Sequence, residues 1–402
     1  MIVLGIESSC DETAASIVKD GKTLLSNAVF SSMDLHKAYG GVVPEIAARS
    51  HIESILPVIE QALIEAEPSL RLEMEDRRLE KEQDAANPQS VDLWSAIDAI
   101  AVTYGAGLGG SLLVGTMTAR TLAIAKDKPL YAINHVEAHV YANFITEVSG
   151  PTLDPTAWKM RSEQPEFPVL ALIVSGGHSQ LALFRGHFDY TLLGQTRDDA
   201  IGEAYDKVAK IIGLPYPGGP SVSKAAESGD PDKYKFPKAR LEGMSPALAR
   251  LRLEMKDRRL ERLQGSGVQP SDPKSSTLYP QPPSHGYDFS FSGPKTAVLR
   301  LAQKEIGEDY TFPSFKLAER LSDTQKNDIA ASFQRIAIET VVDKAVLAYQ
   351  EFQPKSVVIA GGVAANSELR KQMSDRIPIN IEYPDMKLCT DNGAMIAALG
   401  CF

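Results

Sequence analysis

Residues 167–186, "FPVLALIVSGGHSQLALFRG", constrain the fold more than any other stretch. The apolar run Phe167–Val174 ends at Ser175-Gly176-Gly177, and apolar residues resume after His178. Such a run is far too short to span a bilayer and reads as a buried strand, so the whole stretch predicts a hairpin around a glycine-rich turn. The chain opens in a related way, since "MIVLGIESSCDETAASIV" reads as an apolar strand, an acidic and polar turn, and a second β-rich stretch. A strand–glycine–helix pattern follows each hairpin: "SAIDAIAVTYGAGLGGSLLVGTMTARTLAIA" (95–125) in the first half and "KSVVIAGGVAANSELRKQM" (355–373) in the second. Strands alternating with helices, in two halves each led by a hairpin, predict an α/β protein with two related lobes and a cleft.

The expected division is an N-terminal lobe over residues 1–134, a C-terminal lobe over 135–390, and a terminal helix over 391–402 that returns toward the first lobe. Residues 45–65 have helical periodicity, with Ile46, Ile52, Ile55, Leu56 and Ile59 expected on one side. Further helices are expected around 198–213 and 322–350. Two stretches interrupt the pattern. "LRLEMEDRRLE" (70–80) and "LRLEMKDRRLE" (251–261) differ only at Glu75 versus Lys256, and each favours helix, with Glu73→Arg77 and Glu254→Arg258 at the supportive spacing. They read as helical insertions at about 66–92 and 240–286. Each is a solvated arm, or else the pair tethers the lobes through Leu72/Leu79 and Leu253/Leu260. The second runs into "GSGVQPSDPKSSTLYPQPPSHG" (265–286), whose Pro, Ser and Gly content predicts a linker.

Bulk properties exclude several classes. A chain of 402 residues that is 43% hydrophobic buries a sizeable core. The N-terminus lacks the basic leader of a signal peptide, and no apolar stretch has membrane-spanning length. Cys10, Cys389 and Cys401 are too few and too scattered for a disulfide framework, which predicts a reducing compartment: the cytoplasm, or the mitochondrial matrix after removal of a presequence. A net charge of −10 argues against a surface coated for nucleic acid, but not against a local basic patch or a basic partner.

Chemistry concentrates in a few motifs. In "INHVEAHVYANF" (133–144), His135 and His139 stand four apart, which puts both imidazoles on one face of a helix and suits a single metal ion. At about 100° per residue, Glu137 lies roughly 200° from His135 and points away from any such ion. A zincin needs its glutamate directly after the first histidine, so the metalloprotease reading lacks its general base. Asp391 in "CTDNGAM" is the best third ligand, although Asp at a helix start is as readily an N-cap. Two His and one Asp with open positions favour a catalytic ion. Ser175-Gly176-Gly177, "AGGVAAN" (360–366) and "YPGGPS" (216–221) are turns able to present backbone N–H groups to phosphate, and together they point to a nucleotide in the cleft. "ESSCDET" supplies Asp11 and Glu12 on a tight turn after a strand, as a general base or a ligand to metal-bound water.

The stretches "GIESSCDETAASIV", "HKAYGGVVPEIAARSH", "GSLLVGTMTARTLA", "NHVEAHVYA", "ALIVSGGHSQL", "DDAIGEAYDKVAKIIGLPYPGGP", "FSFSGPKTA", "AGGVAAN" and "CTDNGAMIA" follow one another in an order that closely resembles the tRNA threonylcarbamoyladenosine transferase family, once called O-sialoglycoprotein endopeptidases. The resemblance spans nearly the whole chain apart from the two arms and the linker. It implies the actin, sugar-kinase and chaperone-ATPase fold, two lobes of one repeated topology around a nucleotide cleft. It also implies transfer of a threonylcarbamoyl group from threonylcarbamoyl-AMP to the N6 amine of the adenosine 3′ of the anticodon, in tRNAs reading codons that begin with A. By resemblance, His135, His139 and Asp391 bind one divalent metal, iron(II) before zinc or magnesium, and ATP, ADP or AMP also fits the cleft. Ile173, Val174, Ser175, Gly176 and Gly177 contact substrate with Asp206, Gly219 and Asn366, and Asp11 and Glu12 match the catalytic acidic pair. A paralogous dimer partner and an ATPase subunit are implied for a bacterial chain, a homodimer for an organellar one, and His178 with Ile173 match the pattern of those two branches. Ala106 and Ala138 replace the family's usual Pro and Gly, and the chain closes at Phe402, sooner after Asp391 than the pattern does. A non-catalytic nucleotide-binding subunit, or an ATPase or sugar kinase of the same fold, are the alternatives.

Overall fold

A computed structural model of the chain describes residues 1–80, 92–149, 153, 155–238 and 286–402. In the first sheet, ordered β5-β4-β1-β2-β3-β6, strands β1 (Ile2–Glu7), β2 (Glu12–Lys19) and β3 (Thr23–Ser31) form an antiparallel meander. β4 (Ala99–Gly105) then runs parallel to β1, β5 (Leu130–Asn134) parallel to β4, and β6 (Glu147–Val148) joins the far edge beside β3. The second sheet, β11-β10-β7-β8-β9, repeats the plan. β7 (Val169–Val174), β8 (Ser179–Gly186) and β9 (Asp189–Gln195) meander, while β10 (Ser356–Ala360) runs parallel to β7 and β11 (Ile381–Glu382) parallel to β10. One topology used twice is the two-lobed plan of the actin and sugar-kinase class.

Alternation along the strands sorts the core into layers. Ile2, Leu4 and Ile6 face helices α1 (Pro44–Glu80) and α2 (Gly109–Lys126), whereas Val3 faces the opposite side, where α3 (His135–Tyr141) lies. On β7, Leu170, Leu172 and Val174 join a core with α4 (Ile201–Ile212), α5 (Gly218–Ala226), α6 (Ser292–Glu305), α7 (Asp323–Phe352) and α8 (Ser367–Arg376). Val169, Ala171 and Ile173 face the middle of the molecule, which α3 shares with α9 (Gly393–Gly400). The central layer between the sheets is thus built from the histidine helix and the terminal helix. α9 lies so close to the first sheet that a Cβ on Gly5 would stand 2.2 Å from the Gly393 carbonyl oxygen, which explains glycine at both places.

Three expectations change. On α1, Ile55, Ile59, Ala62, Ala66 and Leu70 form the buried stripe at helical spacing, while Ile52 and Leu56 are 67% and 56% exposed on another face. The stretch from residue 66 to 80 is no separate insertion but the continuation of α1. Its repeat segment docks on its own lobe, with Leu70 in the core, Glu73 paired with Lys19, and Arg77 holding Asp98 through two bonds of 3.0 and 2.9 Å. Glu73 and Arg77 therefore make their ion pairs with the sheet and with the loop before β4. Leu72 is 64% exposed; the side chain of Leu79, and the suggested partners Leu253 and Leu260 like the linker to residue 285, lie outside what is described. The first sheet also takes in Glu147 and Val148, beyond residue 134, because the chain returns along Thr23 and Leu24.

Candidate active site

The histidine helix starts where β5 ends. Asn134 caps it, its side-chain oxygen accepting from the N–H groups of Val136 (2.9 Å) and Glu137 (3.2 Å). This sets His135 and His139 in the central layer, 5% and 1% exposed, with ring centroids 4.7 Å apart. From the far end of the chain, Asp391 brings Oδ1 to 3.6 Å from His135 Nε2 and 3.5 Å from His139 Nε2. Asp391 is not the N-cap of α9. That task falls to Asn392, whose side chain accepts from Met395 N–H at 3.0 Å and leaves the Asp391 carboxylate free.

The donor set fits a metal. Two donors on one ion at ~2.1 Å stand about 3.4 Å apart at tetrahedral angles, close to the separations from Asp391. Both His139 ring nitrogens are buried without a hydrogen-bond partner, an unfavourable state that coordination at one of them relieves. Burial, with His135 and His178 nearby, holds the His139 imidazole neutral, far below the ordinary histidine range. His135 is oriented from behind, its Nδ1 lying 3.1 Å from Glu7 Oε2 and 3.2 Å from Ser9 Oγ, so that Nε2 is the free donor. Burial alone would raise Glu7, but His135 and the side chains of Ser9 and Thr103 hold it at about 2. Burial lowers His135 less than the carboxylates of Asp391 and Glu7 raise it, to about 9 without a metal.

The acidic turn between β1 and β2 stands beside this trio. Glu12 is buried and accepts from Ser31 Oγ at 3.1 Å. Burial first, then Asp11 and Asp391, push its carboxyl up to about 9, toward the protonated form. Asp11 is half-buried and its backbone carbonyl is held by both the N–H (3.0 Å) and the hydroxyl (2.8 Å) of Ser32. The expected acidic pair is thus one buried carboxyl and one more open one.

Across the cleft, Ile173 and Val174 are strand residues with buried side chains, so they offer a ligand only backbone. The Ser175 N–H is already given to the His178 carbonyl at 2.8 Å, which leaves the amides of the exposed Gly176 and Gly177 as the open donors of that turn. Asp206, which reads from sequence as a helix-surface charge, is half-buried and accepts from Gly218 N–H at 2.6 Å, at the start of α5. Burial raises it against the bond from Gly218 N–H, with the charges of Glu203 and Asp11 adding to the rise, and Asp206 and Asp11 both act on Tyr216. Gly219 follows with open space around it. Asn366 stands apart: its amide nitrogen bonds Ser223 and Gln334 at 3.0 Å each, and its oxygen caps α8 at Leu369 N–H, so its side chain is spent on structure. Glu7, Ser9, Thr103 and His178 (ring centroid 6.0 Å from His135) were not singled out as site residues. Only the adjacency of Glu7 and Ser9 to the acidic turn hints at them.

The family model for TsaD, tRNA N6-adenosine threonylcarbamoyltransferase, matches residues 23–74, 89–255 and 250–398. A protein of that name from Thermomicrobium roseum is 42% identical over 404 residues, covering 99% of this chain and 90% of its own length. Another from Staphylococcus aureus strain JH9 is 37% identical, covering 100% of this chain and 91% of its own. Among solved structures, full-length HypF in its phosphate- and nucleotide-bound form is 10% identical with a TM-score of 0.48, over 100% of this chain and 46% of that one. Identity of this extent over nearly the whole chain, together with the family-model match, makes the chain a member of the tRNA N6-adenosine threonylcarbamoyltransferase family.

Proposed function

We propose that the protein transfers the threonylcarbamoyl group of threonylcarbamoyl-AMP to the N6 amine of the adenosine 3′ of the anticodon, in tRNAs reading codons that begin with A. The observation that carries this reading is the convergence of the acidic turn and the His135/His139/Asp391 trio: Ser9 Oγ, in that turn, lies 3.2 Å from His135 Nδ1. In the transfer, the adenine nitrogen forms a bond to the carbamoyl carbon while the bond from that carbon to the phosphate oxygen breaks. AMP leaves with the electron pair and the N6 proton goes to Asp11. Glu12, held protonated, donates a hydrogen bond instead of competing for that proton. The Gly176 and Gly177 amides face the developing negative charge on the acyl group. Asp206 and the open approach at Gly219 bound the nucleotide side of the cleft.

His135, His139 and Asp391 would hold one divalent ion, iron(II) in preference to zinc or magnesium. Bound there, such an ion supplies Lewis-acid charge to the phosphate of the mixed anhydride. Partners are part of the proposal. Ile52, Leu56, Leu113 and Met117, each more than half exposed, line an apolar groove of about 520 Å³ between α1 and α2, which suits a paralogous partner subunit in a bacterial assembly with an ATPase, or a second copy in an organellar one. A −10 chain relies on such partners or a local patch to dock tRNA. Among the described residues no helix is long and apolar enough to cross a membrane and all three cysteines are unpaired, in keeping with a cytoplasmic site of action.

The test is threonylcarbamoyl transfer to unmodified tRNA by the purified chain, alone and with candidate partners, alongside metal analysis of wild type and His139→Ala. Transfer with a metal content that falls in the variant is the expected result. Binding of threonylcarbamoyl-AMP without transfer, whatever partner is added, would make the chain a non-catalytic subunit, and equal metal in both proteins would remove the ligand set.

A further inference from the structure

The acidic turn is clasped by two histidines that no metal reading uses. His51, on α1, is fully buried, and its ring bridges the turn: Nε2 lies 3.0 Å from the Cys10 carbonyl oxygen and Nδ1 lies 2.7 Å from Thr13 Oγ1. Cys10 and Thr13 are the residues that bracket Asp11 and Glu12. Thr13 Oγ1 also lies 2.8 Å from Ser54 Oγ, which donates to the Ser50 carbonyl at 2.7 Å. His36 works at one remove, its Nε2 standing 3.1 Å from the Ser32 hydroxyl that holds the Asp11 carbonyl.

Counting protons separates the two. In the His36 chain, Nδ1 accepts from Val43 N–H, Nε2–H donates to Ser32, and Ser32 donates to Asp11, so every contact has its proton. The His51 network has four contacts, but a neutral ring, Thr13 and Ser54 bring one proton each, three in all. A carbonyl only accepts, so Nε2 must carry the ring proton for Cys10, and Thr13 must donate to Nδ1. Ser54 is then left with two acceptors for one hydrogen. Burial favours the neutral ring against the bond to the Cys10 carbonyl and the charges of Glu7 and Asp11.

We propose that His51 is a positioning residue of the transfer reaction: as a neutral Nε2–H tautomer it grips Cys10 and Thr13 at once and so sets where Asp11 and Glu12 stand. This rests on the catalytic reading of that acidic pair. A misplacement of about 1 Å at the reacting groups costs about 10²-fold in rate.

The test measures transfer with the full chain and its required partners, for wild type, His51→Ala, His51→Gln, His51→Asn and Asp11→Asn. Gln places a donor near the Nε2 position and keeps the Cys10 contact, whereas Asn reaches only the Nδ1 position and Thr13. His51→Ala is expected to lower kcat about 10²-fold while KM for both substrates moves less than about 3-fold and bound metal is unchanged. His51→Gln should recover most of that loss and His51→Asn less. In wild type, the ¹⁵N resonance of His51 Nδ1 should be that of an unprotonated, accepting nitrogen. A folded His51→Ala with near wild-type kcat beside an inactive Asp11→Asn overturns the clasp alone. A loss that tracks the unfolding temperature and is not rescued by Gln reduces His51 to a structural role. A fully active Asp11→Asn instead removes the catalytic reading, and the clasp with it.

Discussion

The turns that close β1–β2 and β7–β8 occupy the same place in two copies of one topology, yet they share almost no chemistry. The first, residues 8–11, is a buried polar turn leading into Glu12 and is gripped by imidazoles from α1 and from the segment before it. The second, Ser175–His178, is glycine-rich, with Gly176 and Gly177 exposed. It rests on the start of α4, where Glu203 N–H donates to the Gly176 carbonyl at 3.1 Å. A duplicated scaffold has thus been given one wall of carboxyls and one of open amides, which is the division the proposed transfer from a mixed anhydride to an amine calls for. Their supports differ accordingly. Carboxyls need their position enforced by side chains, whereas backbone amides are placed by the fold itself.

Breaking the first wall should have the largest effect. Asp11→Asn is expected to lower transfer at saturating substrates by about 10²- to 10⁴-fold, with metal content unchanged. Full transfer by this variant would return the first turn to a structural role. Next comes the strand leading into it: Glu7→Gln removes the carboxylate that orients His135 and should weaken metal affinity by about 10- to 100-fold, measured by competition with a chelator. Unaltered affinity would separate Glu7 from the ion.

How far these walls were readable in advance depended on sequence distance. The hairpins, their turns and the spacing of His135 and His139 are local patterns, and each stands where periodicity and turn chemistry place it. The candidate third ligand is ambiguous in sequence because Asp391 and Asn392 are both good caps, and only the folded chain shows which one accepts from Met395. Glu7 and His135 are 128 positions apart, Cys10 and His51 are 41 apart, and no periodicity links them. α1 was misread in the opposite sense. Its isoleucines and leucines fill two faces, one buried and one exposed, and composition alone does not say which faces the sheet.

Breaking the second wall should cost less. Gly177→Ala meets open space, so the fold should tolerate it. A methyl group beside the amide should nonetheless raise KM for threonylcarbamoyl-AMP by about 3- to 10-fold with an unchanged unfolding temperature. Gly202→Ala attacks the same turn from beneath, since a Cβ there would stand 2.7 Å from both the Ser175 carbonyl oxygen and Gly176 Cα. Backbone cannot step aside as a side chain can, so a destabilisation of about 1–3 kcal/mol is expected, read by denaturant unfolding. If Gly177→Ala destabilises and Gly202→Ala does not, the turn is not seated on α4 as described.

The smallest effect concerns what anchors α4 itself. Asp198, just before the helix, accepts from Phe291 N–H at 2.8 Å and from the Ser290 and Ser292 hydroxyls. Burial would raise its carboxyl, but those bonds hold it below its ordinary range. A carboxylate depressed in the folded state contributes stability above its unfolded value of 3.8, and loses it as pH falls through the lower folded value. Because the group is exposed, solvent screens most of this, and Asp198→Asn should cost only about 0.5–1 kcal/mol at pH 7. That difference should be constant from pH 7 to about 5 and shrink below pH 4, where wild type alone loses its charge. The same substitution should leave metal affinity untouched, because among the described residues no hydrogen bond runs from Asp198 to the acidic turn or to the His135/His139/Asp391 trio. A gap that instead widened as pH fell would mean that the charge itself opposes the fold, and that α4 is held under the glycine turn by packing alone.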